Sequence, residues 1–220
     1  MATIKKYVGT ELFDKYEFYN YNHALEILTE AYPTEWNDFA TFLKSFSIRL
    51  SELEESGGNE SIVPKKLKDN LYPRRWRSVR ISGDLHIQFF EKVPDQRRYE
   101  TDPYKEEVVS GFLDGRNIDF LKNRVALICE WNSKDSIFDR DLQAVRAFYD
   151  ANIISAAILI TRGRDFNEAL EGKTYSTGEQ VRKYGSSSTW IDKLIPRLDS
   201  RQNGGCPVLA VGITSKCFEG

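Results

Sequence analysis

The chain is poor in the residues that build metal cages and covalent cross-links. Its 220 residues include three cysteines, two histidines and one methionine, at position 1. Cys129, Cys206 and Cys217 form no CxxC pair, which argues against a disulfide framework and a zinc site. His23 and His86 are too few for a His-rich metal site. No uninterrupted apolar run approaches the ~20 residues that a membrane helix needs. Met1 to Thr10 carries Lys5 and Lys6 but no apolar stretch of the secretory kind. Together these absences predict a protein with no membrane partner and buried thiols in a reducing cytoplasm. Gly-rich phosphate loops, nucleophile elbows and HExxH patterns are also missing, so the common signatures of nucleotide hydrolysis, serine hydrolysis and zinc proteolysis do not apply.

Hydrophobic residues make up 40% of the chain and charged residues 29%, which excludes a disordered or low-complexity class. There are 33 acids and 31 bases, a net charge of −2. That total argues against a nucleic-acid partner, but it hides segregation. Met1 to Val63 holds 11 acids and 5 bases, a net of −6. Pro64 to Arg80 holds seven bases, Arg74 and Arg75 among them, against Asp69 alone, a net of +6. Two readings of this basic stretch stay open: a solvated face, or a set of phosphate contacts. Trp76 within it either stacks on a ligand or simply packs.

Asn20 to Ser47 reads as helical, with a break at Tyr32-Pro33 because proline disfavours a helical residue before it. Thr34 is a plausible N-cap for the second segment. Ser56 to Ser61 (SGGNES) reads as a joint. Leu85 to Phe90 is a strand candidate, Val93 to Glu107 a polar loop, and Lys105 to Leu113 a short helix. Arg124 to Trp131, Ile153 to Thr161 and Cys206 to Ile213 are apolar runs of strand length. Between the first two, Asp139 to Asn152 has helical spacing. Strand, helix, strand in that order predicts a crossover unit. The fold class is therefore α/β, a mixed central sheet flanked by helices. A single domain over 1–220 is expected, with an N-terminal helical segment at about 20–50.

The chemistry with the clearest pattern is a group of carboxylates. Asp119 precedes a strand, Glu130 lies near its end, and Asn132 and Lys134 follow. Side chains alternate along a strand, so Ile128, Glu130 and Asn132 share a face if the strand runs that far. Oxygen donors so placed suit a hard cation such as Mg²⁺. Ordinary salt bridges at a sheet edge are the competing reading. Ser186, Ser187, Ser188 and Thr189 form a polar piece that is either a plain loop or a hydrogen-bonding surface.

Asp119 to Asp141 (DFLKNRVALICEWNSKDSIFDRD) resembles the active-site region of BglII/BstYI-type type II restriction endonucleases. Tyr21 to Ala24 with Glu26 to Leu28, the SGGNES segment, and Tyr184 to Leu198 leading to Gly204 to Leu209 are similar to pieces of the same family, in the same order. The most distinctive element is Glu130 to Leu142. The resemblance implies a restriction-endonuclease-like core of the PD-(D/E)xK group. It also implies a homodimer cutting double-stranded DNA at a short palindrome, GATC-centred in known relatives, with Mg²⁺. A cognate methyltransferase is expected genetically. Asp119 matches the metal-binding aspartate and Glu130 the second acidic or amide position. Asn132 and Lys134 become candidates for positioning water or phosphate. Lys134, Asp135 and Ser186 to Thr189 become candidates for base contact, and Arg74 and Arg75 for the DNA backbone. The helix Asp139 to Asn152 would pack at the dimer or against the sheet. Three positions depart from the family pattern: Ile128 replaces a glutamate, Trp190 a histidine and Glu60 a lysine. The first leaves two outcomes: Glu130 and Asn132 take over the metal site, or the chain is a DNA-binding dimer that no longer cuts.

Overall fold

The computed structural model describes residues 2–54, 61–181 and 184–219. The SGGNES joint apart from Ser61, and with it Glu60, falls outside them. The chain divides into two compact units, Met1–Ser78 with Asp119–Gly220, and Val79–Ile118. In chain order the elements are α1 (Ala2–Val8), α2 (Thr10–Lys15), β1 (Tyr16–Tyr21), α3 (Ala24–Glu30), α4 (Pro33–Ser45), β2 (Ile48–Arg49), α5 (Leu50–Glu54), α6 (Ile62–Leu71), β3 (Arg77–Phe89) and β4 (Lys105–Lys122). There follow β5 (Val125–Cys129), α7 (Ile137–Asp150), β6 (Ala156–Arg162), α8 (Ile191–Asp199), β7 (Val208–Ile213) and β8 (Phe218–Glu219).

The main sheet has six strands in the order β1-β7-β6-β5-β4-β3. β5, β6 and β7 are parallel to one another, while β1 and the end of β4 pair antiparallel. Every residue of β5, β6 and β7 is buried. This is the unbroken apolar pattern of strands covered on both faces. Alternation then divides them. Val125, Leu127 and Cys129 of β5, with Ala156, Ile158 and Ile160 of β6, join one cluster with the N-terminal helices. Ala126, Ile128, Ala157 and Leu159 are buried outside that cluster. By alternation they face the other side, where α8 packs on β7 and α7 packs on α8. The helix after β5 thus lies against the core.

Several expectations need correction. Lys105 to Leu113 is not a helix but the first half of β4. Val108-Val109 favours extended backbone, and Gly111 sits at φ +68° with its N–H donated to the Asp84 carboxylate at 2.8 Å. The N-cap of α4 is Tyr32, with Pro33 as the first helical residue, not Thr34. Proline's missing N–H costs nothing there, so the same residue that ends one helix opens the next. β1 and α8 were not among the expected elements, although Ile191, Leu194 and Leu198 give α8 a helical apolar spacing.

The second unit is a long hairpin. Tyr104 donates its N–H to the Phe89 carbonyl at 2.9 Å, and Gln88 meets Glu106 across the strands at 2.6 Å.

Candidate active site

The carboxyl end of β5 gathers three acids. Asp119 lies in β4 just before the residues that pair with β5. Its Oδ2 accepts the Cys129 N–H at 2.8 Å, which fixes the side chain. Glu130 is the residue after β5. Its N–H still donates to the Ile160 carbonyl at 3.1 Å, so the pairing with β6 continues and its side chain shares the Ile128 face. Asp141 comes from α7. Phe138, Asp141, Leu142, Val145 and Phe148 are all buried there, the spacing of one helix face. An acid has taken a place on an apolar stripe.

Burial raises the pKa of Asp119, outweighing the Cys129 N–H and the charge of Arg140. Burial likewise raises Glu130, against hydrogen bonds from Ser133 and Asp141 that favour its charged form. Asp141 is pushed up to about 8, first by burial and then by the Glu130 charge beside it. Burial and the Glu130 charge thus favour the protonated form of Asp141. Its Oδ2 is buried without a partner. The basic group beside it is Arg140, an exposed side chain 3.7 Å from Oδ1. Among the described residues, no three His, Cys, Asp or Glu side chains close into a metal cage. The donors that do approach are carboxylate oxygens, one of them orphaned, and this chemistry suits a hard cation.

On the opposite face, β6 ends in Arg162, which is fully buried. Its guanidinium carbon lies 4.1 Å from the Tyr184 ring centre and 4.4 Å from that of Trp190. Its Nη2 donates to the Thr189 carbonyl and the Ser188 hydroxyl, both at 2.6 Å. Ser188 forms a bridge with Lys134, Asp135 donates its N–H to the Ser187 carbonyl at 3.0 Å, and Thr189 donates to Ser133 at 3.1 Å. The two polar segments singled out from sequence, 133–135 and 187–189, are thus hydrogen-bonded to each other.

A family model for restriction endonuclease BglII/BglIII matches residues 16–213. The chain belongs to that family. No curated protein matches it significantly. The match runs from the first residue of β1 to the last of β7, so it contains the whole carboxylate group and Arg162. As a BglII/BglIII-type restriction endonuclease, the chain falls in a class of DNA-cleaving, metal-using enzymes. Among the described residues no helix is long and apolar enough to cross a membrane.

Within this endonuclease the remaining candidates separate. Asn132 is exposed in a bend beyond the strand end, so alternation does not carry it onto the Glu130 face. Lys134, Ser186 and Ser187 are exposed, and Asp135 and Ser188 are half-buried. Thr189 is buried. Arg74 is engaged internally, donating to Asn70 at 3.1 Å and lying 3.8 Å from Asp38. Asp38 also takes the Trp76 indole N–H at 3.0 Å and Lys122 at 2.7 Å, so Trp76 packs. Lys66 and Arg77 bond to backbone carbonyls. Arg75 and Lys65 remain exposed.

Sequence reasoning missed Asp141 and Arg162. Asp141 had a signal, an acid at an apolar position of a strongly periodic helix. Arg162 had a weaker one, a base closing an apolar strand run.

Proposed function

We propose that this chain is a Mg²⁺-dependent type II restriction endonuclease with a PD-(D/E)xK core. It would act as a homodimer on double-stranded DNA, each subunit cutting one strand of a short palindrome, GATC-centred as in known relatives. The observation that carries this reading is the approach of Asp119, Glu130 and Asp141 at the end of β5. The glutamate expected at 128 is an isoleucine, 5% exposed. Asp141 brings a third carboxylate to the same face from α7, so the loss at 128 is offset in number if not in position.

Asp119 and Glu130 would hold Mg²⁺, with Asp141 as a further oxygen donor. A bound Mg²⁺ supplies acidification of water and neutralisation of charge on the scissile phosphate. Water attacks phosphorus in line, leaving a 3′ hydroxyl and a 5′ phosphate. The Cys129 N–H orients Asp119, and the Ser133 hydrogen bond orients Glu130. Asp141, whose carboxyl is held toward its protonated form by burial and the Glu130 charge, would turn to its charged form beside a cation. Lys134, exposed on the segment next to Glu130, faces solvent where a phosphate would lie. Arg75 and Lys65 are exposed basic groups for the DNA backbone with Arg74 beside them, and Lys134, Asp135 and Ser186 to Thr189 are the candidates for base contact. A cognate methyltransferase would protect the host.

The test is plasmid incubation with Mg²⁺. Discrete fragments are expected from the native chain and none from Asp119→Ala, while both bind DNA in Ca²⁺. Cleavage surviving in Asp119→Ala would falsify the assignment. The buried Ile128 favours a second reading, a DNA-binding dimer that does not cut. That reading predicts retarded but intact DNA in both Mg²⁺ and Mn²⁺.

A further inference from the structure

Four buried side-chain polar atoms stand without a partner among the described residues: Asp141 Oδ2, Thr161 Oγ1, Thr189 Oγ1 and Arg162 Nη1. The backbone sorts them by face. Arg162 lies with Trp131, Tyr184 and Trp190, which belong to the cluster of the N-terminal helices. Thr161 precedes it in β6, so alternation turns the Thr161 side chain to the opposite face, that of Ala157 and Leu159. Trp190 bridges Arg162 in parallel and has extended backbone, φ −137° and ψ 154°. Thr189, one residue earlier, therefore faces the same way as Thr161. Asp141 reaches this face from α7. Three of the four orphans thus share the face that holds Glu130, and both threonines are 0% exposed.

Glu130 is the group that connects them. β5 and β6 run parallel, with Ile128 opposite Leu159 and Cys129 opposite Ile160. The Glu130 N–H still donates to the Ile160 carbonyl, so the same register sets Glu130 beside Thr161. Adjacent strands lie about 4.8 Å apart. Asp141 and Ser133 hydrogen-bond to the Glu130 carboxylate, and Thr189 donates its N–H to the Ser133 carbonyl at 3.1 Å. The Thr161 hydroxyl is a neighbour of Glu130 without being bonded to it. β6 is apolar from Ala156 to Ile160, and a valine at 161 would fill the same place with no orphan. What threonine adds there is the hydroxyl. A buried hydroxyl in a native protein bonds to protein or to ordered water. A buried water needs about two to four polar partners, and Thr161, Thr189, Asp141 and Glu130 offer them.

We infer that Thr161 is a positioning residue for Glu130. Its hydroxyl, through one buried water shared with Asp141 and Thr189, holds the Glu130 carboxylate in the orientation that takes a divalent cation. The inference deepens the proposed nuclease reading and rests on it for the cation.

The experiment uses the full chain without DNA. Mn²⁺ uptake is read from the electron paramagnetic resonance signal of the free ion, and melting in chelator from circular dichroism. Thr161→Val keeps the shape and removes the hydroxyl. Its Mn²⁺ affinity is expected to fall ~10–100-fold, the usual result of removing a group that orients a metal ligand. Its melting temperature is expected to fall as well, because a bonded hydroxyl is lost. Thr161→Ser returns the hydroxyl and gives up a methyl, and is expected to recover most of the Mn²⁺ affinity. A packing role predicts the reverse order, with serine worse than valine. Thr189→Val is one step further from Glu130 and is expected to weaken Mn²⁺ less than Thr161→Val does. Should Thr161→Val not fold, Thr161→Ala against Thr161→Ser makes the same comparison. Native Mn²⁺ affinity in Thr161→Val overturns the inference, as does a raised melting temperature, the mark of an idle buried hydroxyl. Failure of serine to rescue, or equal Mn²⁺ losses at 161 and 189, overturns it too. A native chain that takes up no Mn²⁺ sinks the cation reading itself, whereas a native chain that binds and a valine variant that binds equally sink the positioning role alone.

Discussion

At the carboxyl ends of β5 and β6 the two faces of one sheet bury charge of opposite sign, and they handle it differently. On the α7 face, three carboxylates crowd together with one exposed arginine nearby, an orphaned oxygen and raised pKa values throughout. On the other face, one guanidinium is closed in by Tyr184 and Trp190 and directs its hydrogen bonds to a loop carbonyl and a hydroxyl. Its Nη1 finds no partner, and burial lowers its pKa to about 10, so it remains charged. The rings and the loop hold the guanidinium as a structural group. The carboxylates raise one another, because like charges held in low dielectric resist ionisation. The contrast sets the structural role of Arg162 against the cation-binding role proposed for the acids.

The largest expected effect tests the acidic face. Glu130→Gln keeps the shape of the side chain and removes its charge. DNA cleavage in Mg²⁺ is expected to fall at least ~10³-fold, while thermal stability in chelator stays the same or rises. A stable protein that still cuts would mean the carboxylates are structural after all. A drop in melting temperature would make the two faces alike.

Arg162 tests the basic face, and the sign reverses. Arg162→Met fits the aromatic slot but leaves the Thr189 carbonyl and the Ser188 hydroxyl without their donor. A loss of about 1–3 kcal/mol is expected from buried groups left unsatisfied. Arg162→Lys keeps charge but not the paired donation, and is expected to recover only part. Because Trp131 and Trp190 lie against the guanidinium, their fluorescence should change in both variants. Denaturant melts read the stability. Unchanged midpoints would show that the loop holds without this anchor. The cleavage pattern is expected to broaden, since segment 187–189 hydrogen-bonds to 133–135, where bases would be read.

What could be read in advance follows the same division. β5, α7, β6 and β7 were legible because continuous apolar runs and a 3.6 period are local properties. Asp119 and Glu130 were legible through spacing and resemblance. Asp141 was written in the chain as a helix-face acid, but its meeting with Glu130 depends on how α7 lies on the sheet, which no local pattern encodes. Arg162 looked like one more base in a polar stretch, because its slot is made of residues 20 to 30 positions away. The Lys105 to Leu113 segment failed for the opposite reason. Its short polar pattern fits a helix, but Val108-Val109 and the pairing with β3 hold it extended.

Ile128→Glu would put a carboxylate where the family pattern has one. The site is buried among apolar neighbours, so a cost of about 2–4 kcal/mol is expected from an unpaired buried charge. Mg²⁺ should restore part of that cost if the introduced carboxylate reaches the metal. Gained cleavage would show that the acidic face is short of a ligand. Lost stability with no metal response would show that Asp141 already supplies what position 128 lacks.

The last effect is the one whose sign separates the faces most cleanly. Asp141 has its pKa raised from the ordinary aspartate value, near 4, to about 8 in the folded chain. A group raised in this way stabilises the fold fully below the unfolded value, and that contribution is lost as pH rises through the folded one. In chelator, native stability should therefore decline between about pH 4 and pH 8 on account of this residue. Asp141→Asn removes the titration. It should match the native chain near pH 4 and exceed it at pH 8, with a higher melting temperature there. Cleavage by the same variant should fall ~10–100-fold, because the amide brings an oxygen but no charge to the cation. Adding Mg²⁺ at pH 8 should narrow the stability gap by raising the native chain more than the variant. Parallel melting curves at both pH values would place Asp141 among the structural groups, and the acidic face would then be as complete without a ligand as the face that holds Arg162.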